Sequence, residues 1–349
     1  MQQAEVPDIP TVLTGAQSTG VAVGENPVTQ PVVPDEEVAI EYQFPIIPGD
    51  DHPNAVRSFI DFPFSGSAFT IEEPLTTTSA YTRYRISYLS NDLRISGIMN
   101  VPVGEWPFPV LILNHGYIDP AVYTNGRGLK REQDYLARQG YVVVHIDYRN
   151  HAYSDDDEAL LQRPYLRGFF YGADAINVIL ALQSSPLPYI DTTRVGMVWH
   201  SMGGGVTMHA LIARPDLIDA AVLLAPIHSH EFYNFERRGK NRINPLQWSI
   251  VEQDLWDLSQ KSTFDAFSAE SYADRMQVPI QLHQWTRDES VPVERAREIT
   301  TALTAKEVDI TLFEYENEPH EFVTAWSTVM QRTASFFDEH VKNSLGKAE

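Results

Sequence analysis

The sequence predicts an α/β fold, a mostly parallel sheet of about eight strands with helices on both faces. Three observations carry that expectation. Val110-Leu-Ile-Leu113, Tyr141-Val-Val-Val-His-Ile146, Val195-Gly-Met-Val198 and Ala220-Ala-Val-Leu-Leu224 are short and apolar throughout, as strands covered on both faces are. Segments of helical pattern separate them, at about 127–139, 171–182 and 203–213. One strand runs directly into a helix across Val198-Trp-His-Ser-Met-Gly-Gly-Gly205, a tight turn that presents a serine.

The elements follow in order. Residues 1 to about 35 hold Val, Thr, Pro, Gly and Gln with almost no large aromatic groups, so they cannot bury enough apolar area to offset the entropy of ordering. They are expected to be a flexible tether ahead of one catalytic domain over 36–349. Such a tether suits an exported protein, extracellular or in the cell envelope, whose signal is absent from this chain; a cytoplasmic tail is the alternative. From Glu36 to about Tyr88 short strands broken by Pro and Gly are expected. Ile86-Ser-Tyr-Leu89 and Leu93-Arg-Ile-Ser-Gly-Ile-Met99 read as an antiparallel pair turning at Asn91-Asp92. After Ala220–Leu224 the alternation is interrupted over about 229–276 by a segment of helical composition. It holds Phe232, Tyr233, Phe235, Trp248 and Trp256 and the basic run Arg237-Arg-Gly-Lys-Asn-Arg242. Placed between two strands that end on the same side, it is expected to form a small helical cap over the site, with an ordinary crossover as the alternative. The sheet resumes at Val278-Pro-Ile-Gln-Leu-His283, followed by a helix at about 292–304, a strand at Val308–Phe313 and a last helix at about 324–341.

Composition narrows the function. The 349 residues, 43% of them hydrophobic, suffice for one large core and an appendage. Asp and Glu number 47 against 26 Lys and Arg, a net charge of −21, which repels nucleic-acid phosphates and anionic headgroups; no nucleic-acid partner is expected. The absence of cysteine excludes disulfides, thiolate nucleophiles and zinc–thiolate sites. No apolar run reaches the roughly 18 residues of a membrane span, and Met1-Gln-Gln-Ala-Glu5 has neither the basic nor the apolar region of a signal peptide. Asp155-Asp-Asp-Glu158 lacks the spacing and glycine of a calcium loop, so no metal site is expected.

The chemistry centres on Ser201. A serine on a strand-to-helix turn exposes its hydroxyl above a helix N-terminus, where the backbone N–H of Met202 and the helix dipole can stabilise an oxyanion. A serine at its ordinary pKa needs an adjacent base. On this topology the base belongs in the loop after the last strand, where His320 stands in Tyr315-Glu-Asn-Glu-Pro-His-Glu-Phe322. The acid belongs after the preceding strand, where Asp288 stands in Gln284-Trp-Thr-Arg-Asp-Glu-Ser-Val-Pro292, with Glu289 as the fallback. The order Ser201, Asp288, His320 is the one such a fold requires. The second oxyanion donor is expected from Asn114-His-Gly-Tyr117, as the N–H of Tyr117, with Gly116 letting the backbone turn towards the serine. His115 is expected to make a structural hydrogen bond, with substrate contact as the alternative. Arg149, in Asp147-Tyr-Arg-Asn-His151, is expected in a structural network, with binding of a substrate carboxylate as the alternative. Phe232, Trp248 and Trp285 are candidate substrate contacts and point to an apolar or aromatic acyl or alcohol group.

These residues resemble the prolyl-oligopeptidase-like and dienelactone-hydrolase-like branch of the α/β-hydrolase fold. The resemblance runs over roughly 80–345 and is carried by Tyr88-Leu-Ser-Asn-Asp-Leu-Arg-Ile-Ser-Gly97, His115-Gly116, Asp147–His151, His200-Ser-Met-Gly-Gly204, Asp288-Glu-Ser-Val-Pro292 and His320. It implies a Ser201–His320–Asp288 triad, an oxyanion hole at Tyr117 and Met202, and no cofactor. The expected activity is hydrolysis of a small-molecule or polymer carboxylic ester. Exopeptidase or amidase activity is the alternative. The Ser201-Met-Gly-Gly-Gly205 run is also similar to bacterial cutinases and polyesterases, but Asp147–His151 is not. The chain departs from the pattern at Trp199, where Gly is usual, and at Gln284-Trp285, where His-Gly is usual. It carries no β-propeller repeat.

Overall fold

A computed structural model describes residues 55–344 except Trp106, Lys240, Arg242 and residues 255–257. The expected tether at 1–35 and Trp256 lie outside the described residues.

Nine strands form one sheet: β1 (Gly66–Thr77), β2 (Tyr81–Ser90), β3 (Leu93–Pro102), β4 (Phe108–Asn114), β5 (Val142–Ile146), β6 (Ile190–His200), β7 (Ala220–Leu224), β8 (Ile280–Trp285) and β9 (Ile310–Tyr315). Their spatial order is β1-β2-β3-β5-β4-β6-β7-β8-β9. The pairs from β1 to β5 are antiparallel, and those from β5 through β4 to β9 are parallel. The count exceeds the expected eight by one. The expected hairpin is β2–β3, with Ser90 opposite Leu93 and Asn91 at φ +51° in the turn, the left-handed conformation a two-residue hairpin loop needs.

Among the described residues nine α-helices accompany the strands: α1 (Ala55–Ile60), α2 (Lys130–Arg138), α3 (Glu158–Gln162), α4 (Arg167–Ser184), α5 (Gly203–Ala213), α6 (Glu231–Asn234), α7 (Pro245–Asp254), α8 (Val293–Thr304) and α9 (Trp326–Phe337). Helix α1 stands where short strands were expected. Ala55, Val56 and Phe59 share one helical face, and Phe59 packs edge-on against Phe169 at 5.4 Å. Alternate residues of the central strands supply two cores. Val110, Ile112, Val144, Met197 and Leu223 pack with α1, α4, α5 and α8; Leu111, Leu113, Val143, Val198 and Val222 pack with α2 and α9. This two-sided burial explains why the strands read as continuous apolar runs. Among the described residues no helix is long and apolar enough to cross a membrane.

Arg149 sits in a buried ion network. Its guanidinium meets Asp174 of α4 at 2.7 Å and Asp157 at 2.7 Å, and it lies over Phe170. Asp174 also accepts from Ser90 of β2 at 2.8 Å. Arg149 therefore ties β2, the loop after β5 and α4 together, and the alternative of substrate carboxylate binding is overturned: the side chain is 2% exposed and its charge is matched inside the fold. Removing Arg149 leaves two buried carboxylates without their counterion. Arg149→Ala is expected to lower unfolding free energy by about 3–5 kcal/mol, whereas breaking the exposed Arg57–Asp61 pair with Asp61→Ala changes it by no more than about 1 kcal/mol. Urea denaturation of both variants checks the contrast.

Candidate active site

The parallel strands end on one edge of the sheet, and the loops that follow β4, β6, β8 and β9 converge there. Ser201 stands between β6 and α5 at φ +57°. A residue with a Cβ holds that conformation only where its surroundings enforce it. Here its N–H donates to the Leu224 carbonyl at 3.0 Å, and its carbonyl accepts from Gly204 and Ile227 at 3.0 and 3.1 Å.

The glycines after Ser201 make the turn possible. A Cβ on Gly203 would stand 2.4 Å from the Asn114 carbonyl oxygen, so α5 lies directly on the end of β4. A Cβ on Gly204 would stand 2.6 Å from Pro226 Cβ and 2.9 Å from Trp199 Nε1. Trp199 is fully buried, and its indole takes the space that a side chain at 204 would fill. The bulk absent at Gly204 thus accommodates the bulk added at Trp199, and the backbone turn survives.

His320 and Asp288 are bonded directly, Nδ1 to Oδ2 at 2.7 Å. Asp288 is held on every side: Oδ1 accepts from the N–H groups of Ser290 and Val291 at 2.8 and 2.7 Å, and Oδ2 also accepts from the Gln284 amide at 3.2 Å. Gln284 further donates to the Val291 carbonyl at 3.0 Å, which fixes the acid loop. Glu289 meets His320 through the backbone N–H and not the imidazole. The His320 carbonyl is gripped twice, by Trp285 Nε1 at 3.0 Å and by the His200 ring at 3.1 Å. Trp285 stacks on Phe322 at 4.5 Å, and the His200 ring lies 4.6 Å from the His320 ring. Burial and the neighbouring His320 push His200 down to about 4, so it is neutral at physiological pH. The sequence alone assigns no role to Gln284, noted above as a departure from the family pattern, or to His200. Their adjacency to Trp285 and Ser201 was the available signal.

Ser201 opens on two cavities. One, of about 160 Å³, lies under the 229–276 segment and is lined by Tyr117, Met202, Tyr233, Phe235, Phe264 and Phe267 among others. The other is polar, about 540 Å³, and is the one that also reaches His320 and Gly116. A Cβ on Gly116 would stand 3.2 Å from Ser201 Cβ, so the 115–117 loop abuts the serine.

The expected substrate contacts divide. Tyr117 is 39% exposed and lines both cavities. His115 is fully buried, bonds the Gly116 carbonyl at 2.7 Å and stacks on Tyr123 at 4.8 Å, which is the structural role. Trp285 is fully buried and props His320 instead of meeting a substrate. Phe232 packs on Phe264, and Trp248 stacks on Phe235 with its indole N–H on Glu252. Both support the cavity wall from behind, because Phe235 and Phe264 take the inward positions. No group of three or more His, Asp or Glu suited to a metal occurs among the described residues.

Glu231 lines the cavity beside the 229–276 segment. Its carboxyl accepts from Asn234 at 3.2 Å, but burial dominates and pushes it up from 4.5 to about 7. The folded state therefore holds this proton more tightly than the unfolded chain. The associated stability is fully present below about pH 4.5 and is lost as pH rises through about 7. Glu231→Gln removes the titration, so its urea midpoint should rise relative to the parent between pH 5 and pH 8. An equal difference at both pH values would contradict the assignment.

A profile of the prolyl oligopeptidase family matches residues 127–344. The uncharacterized peptidase YuxL of Bacillus subtilis (strain 168) is 25% identical over 269 residues, covering 73% of this chain and 39% of that protein. The chain thus spans about two fifths of that relative's length. The acylaminoacyl peptidase of Pyrococcus horikoshii superposes with a TM-score of 0.59 at 19% identity, over 79% of this chain and 45% of that one. Acetyl xylan esterase 1 of Thermoanaerobacterium sp. JW/SL YS485 superposes with a TM-score of 0.60 at 15% identity, over 83% of this chain and 95% of that one. At these identities the structural matches show the fold. With the family profile covering more than half of its length, this chain belongs to the prolyl oligopeptidase family of α/β-hydrolase-fold serine hydrolases.

Proposed function

We propose that the protein hydrolyses carboxylic esters through an acyl-enzyme, with Ser201 as nucleophile, His320 as base and Asp288 as its orienting acid. The observation that carries this reading is the 2.7 Å His320–Asp288 bond in a cleft that Ser201 shares. The bond fixes the imidazole with Nδ1 on the carboxylate, which leaves Nε2 to act on the serine. Ser201 Oγ attacks the ester carbon while His320 takes its proton. The backbone N–H groups of Met202 and Tyr117 are the donors for the resulting oxyanion. Collapse expels the alcohol with the proton from His320, and water repeats the sequence to release the acid. The cap-side cavity, near 160 Å³, suits an acyl group about the size of a single aromatic ring.

Support for the ester comes from the likeness in fold to acetyl xylan esterase 1. The family and the curated relative favour the second reading, an exopeptidase or amidase built on the same three residues. Paired kinetics on p-nitrophenyl esters and aminoacyl p-nitroanilides decide between them; efficient anilide turnover with little ester hydrolysis would reverse the preference.

A fluorophosphonate should label the protein at Ser201. Ser201→Ala should abolish labelling and lower kcat by on the order of 10⁵–10⁶, and Asp288→Asn by about 10⁴. Trp285→Phe keeps the stack on Phe322 but loses the bond to the His320 carbonyl. It should lower kcat about three- to tenfold with KM little changed; a pure KM effect would place Trp285 in substrate binding instead.

A further inference from the structure

The two cavities at Ser201 differ in chemistry, and His320 lines the polar one. In acyl transfer the C–O or C–N bond to the leaving group breaks as His320 delivers the proton it took from Ser201. The leaving group must therefore lie on the His320 side, in the polar cleft, with the acyl group under the cap.

Arg127, Lys130 and Arg131 line that cleft, against the carboxyls of Glu132 and Glu321. Arg127 bonds the Val122 carbonyl at 2.6 Å, and among the described residues neither Arg127 nor Lys130 is in an ion pair. Arg131 is pre-positioned. Its guanidinium lies over the rings of Phe322 and Trp326, each at 5.4 Å, and Nη2 donates to the carbonyls of Glu321 and Phe322 at 3.3 Å. Glu132 is 3% exposed and accepts from Trp326 Nε1 at 2.7 Å, so it is occupied in holding the ring that carries Arg131. Glu132 Oε1 also lies 3.7 Å from Arg131 Nη2, so its charge is answered by Arg131 rather than by Arg127 or Lys130. The cleft is thus locally positive in a chain of net charge −21. At physiological salt charges are screened beyond about 8 Å, so a bound group feels these side chains and not the acidic body.

We propose that this cleft is a leaving-group site selective for leaving groups that bear a carboxylate. The proposal rests on the Ser201–His320 reading above and holds whether the departing atom is oxygen or nitrogen. A planar guanidinium fixed on two rings suits a carboxylate, which can take its remaining N–H donors.

The test uses three benzoyl esters of the full chain's choosing by charge: of 4-hydroxybenzoate, of 4-hydroxybenzamide and of 4-hydroxyphenyltrimethylammonium. Each kcat/KM is normalised to that ester's hydroxide rate, and the matching anilides separate oxygen from nitrogen leaving groups. The carboxylate should be preferred, the preference should shrink with added salt, and Lys130→Gln and Arg131→Gln should each cut the carboxylate-to-amide ratio about two- to fivefold. Free 4-hydroxybenzoate should also protect Ser201 from a fluorophosphonate better than 4-hydroxybenzamide does, a readout that needs no turnover. Equal protection, a preference for the neutral or cationic series, or a ratio unmoved in both variants overturns the leaving-group site while labelling persists. Loss of labelling in the parent protein instead overturns the hydrolase reading beneath it.

Discussion

The bond between His320 and Asp288 is the constraint on which the site depends, because both residues sit in loops and neither would hold its place alone. Asp288 is fixed by two backbone N–H groups and the Gln284 amide, and His320 by the grip of Trp285 and His200 on its carbonyl. The supports come from β6 and β8, so the sheet itself sets the imidazole. Interior packing tolerates little displacement. The geometry of the pair is therefore inherited from the most rigid layer of the fold.

Electrostatics is used locally and against the overall balance. The chain is strongly acidic, yet the polar cleft beside Ser201 collects three cations, and the cavity by the 229–276 segment sets aromatic rings beside Glu231, Arg167, Arg237 and Arg295. Aromatic surface predominates on one side of Ser201 and polar surface on the other. The buried Arg149 network is different: its charge is cancelled inside the fold, where it joins β2 to α4.

The 229–276 segment joins the cap-side cavity to the acid loop. Phe235 and Phe264 line the cavity, Phe232 and Trp248 back them, and Arg237 donates to the carbonyls of Glu289 and Ser290 at 3.1 and 3.0 Å. Helical composition and a place between two strands are what the sequence shows of this segment. Which ring faces inward depends on helix register and on the five-residue π-helical turn at Phe235–Gly239, neither of which is written in composition.

The central parallel strands and the order in which they connect are legible in the chain alone, as is the order of Ser201, Asp288 and His320 along it. Apolar runs, turn residues and the order Ser201, Asp288, His320 are local properties of the chain, and each is set by short-range sterics or by the period of burial. Helix α1 escaped such reading because six residues carry too little pattern to separate a helix from a strand. Packing decides how Trp199 fits, beside the side chain that Gly204 lacks, and what Trp285, His115 and Arg149 touch. It also decided that Ser201 faces two cavities of opposite character. These are long-range outcomes: a side chain's partner, burial and charge environment depend on which distant residues the packed core brings beside it.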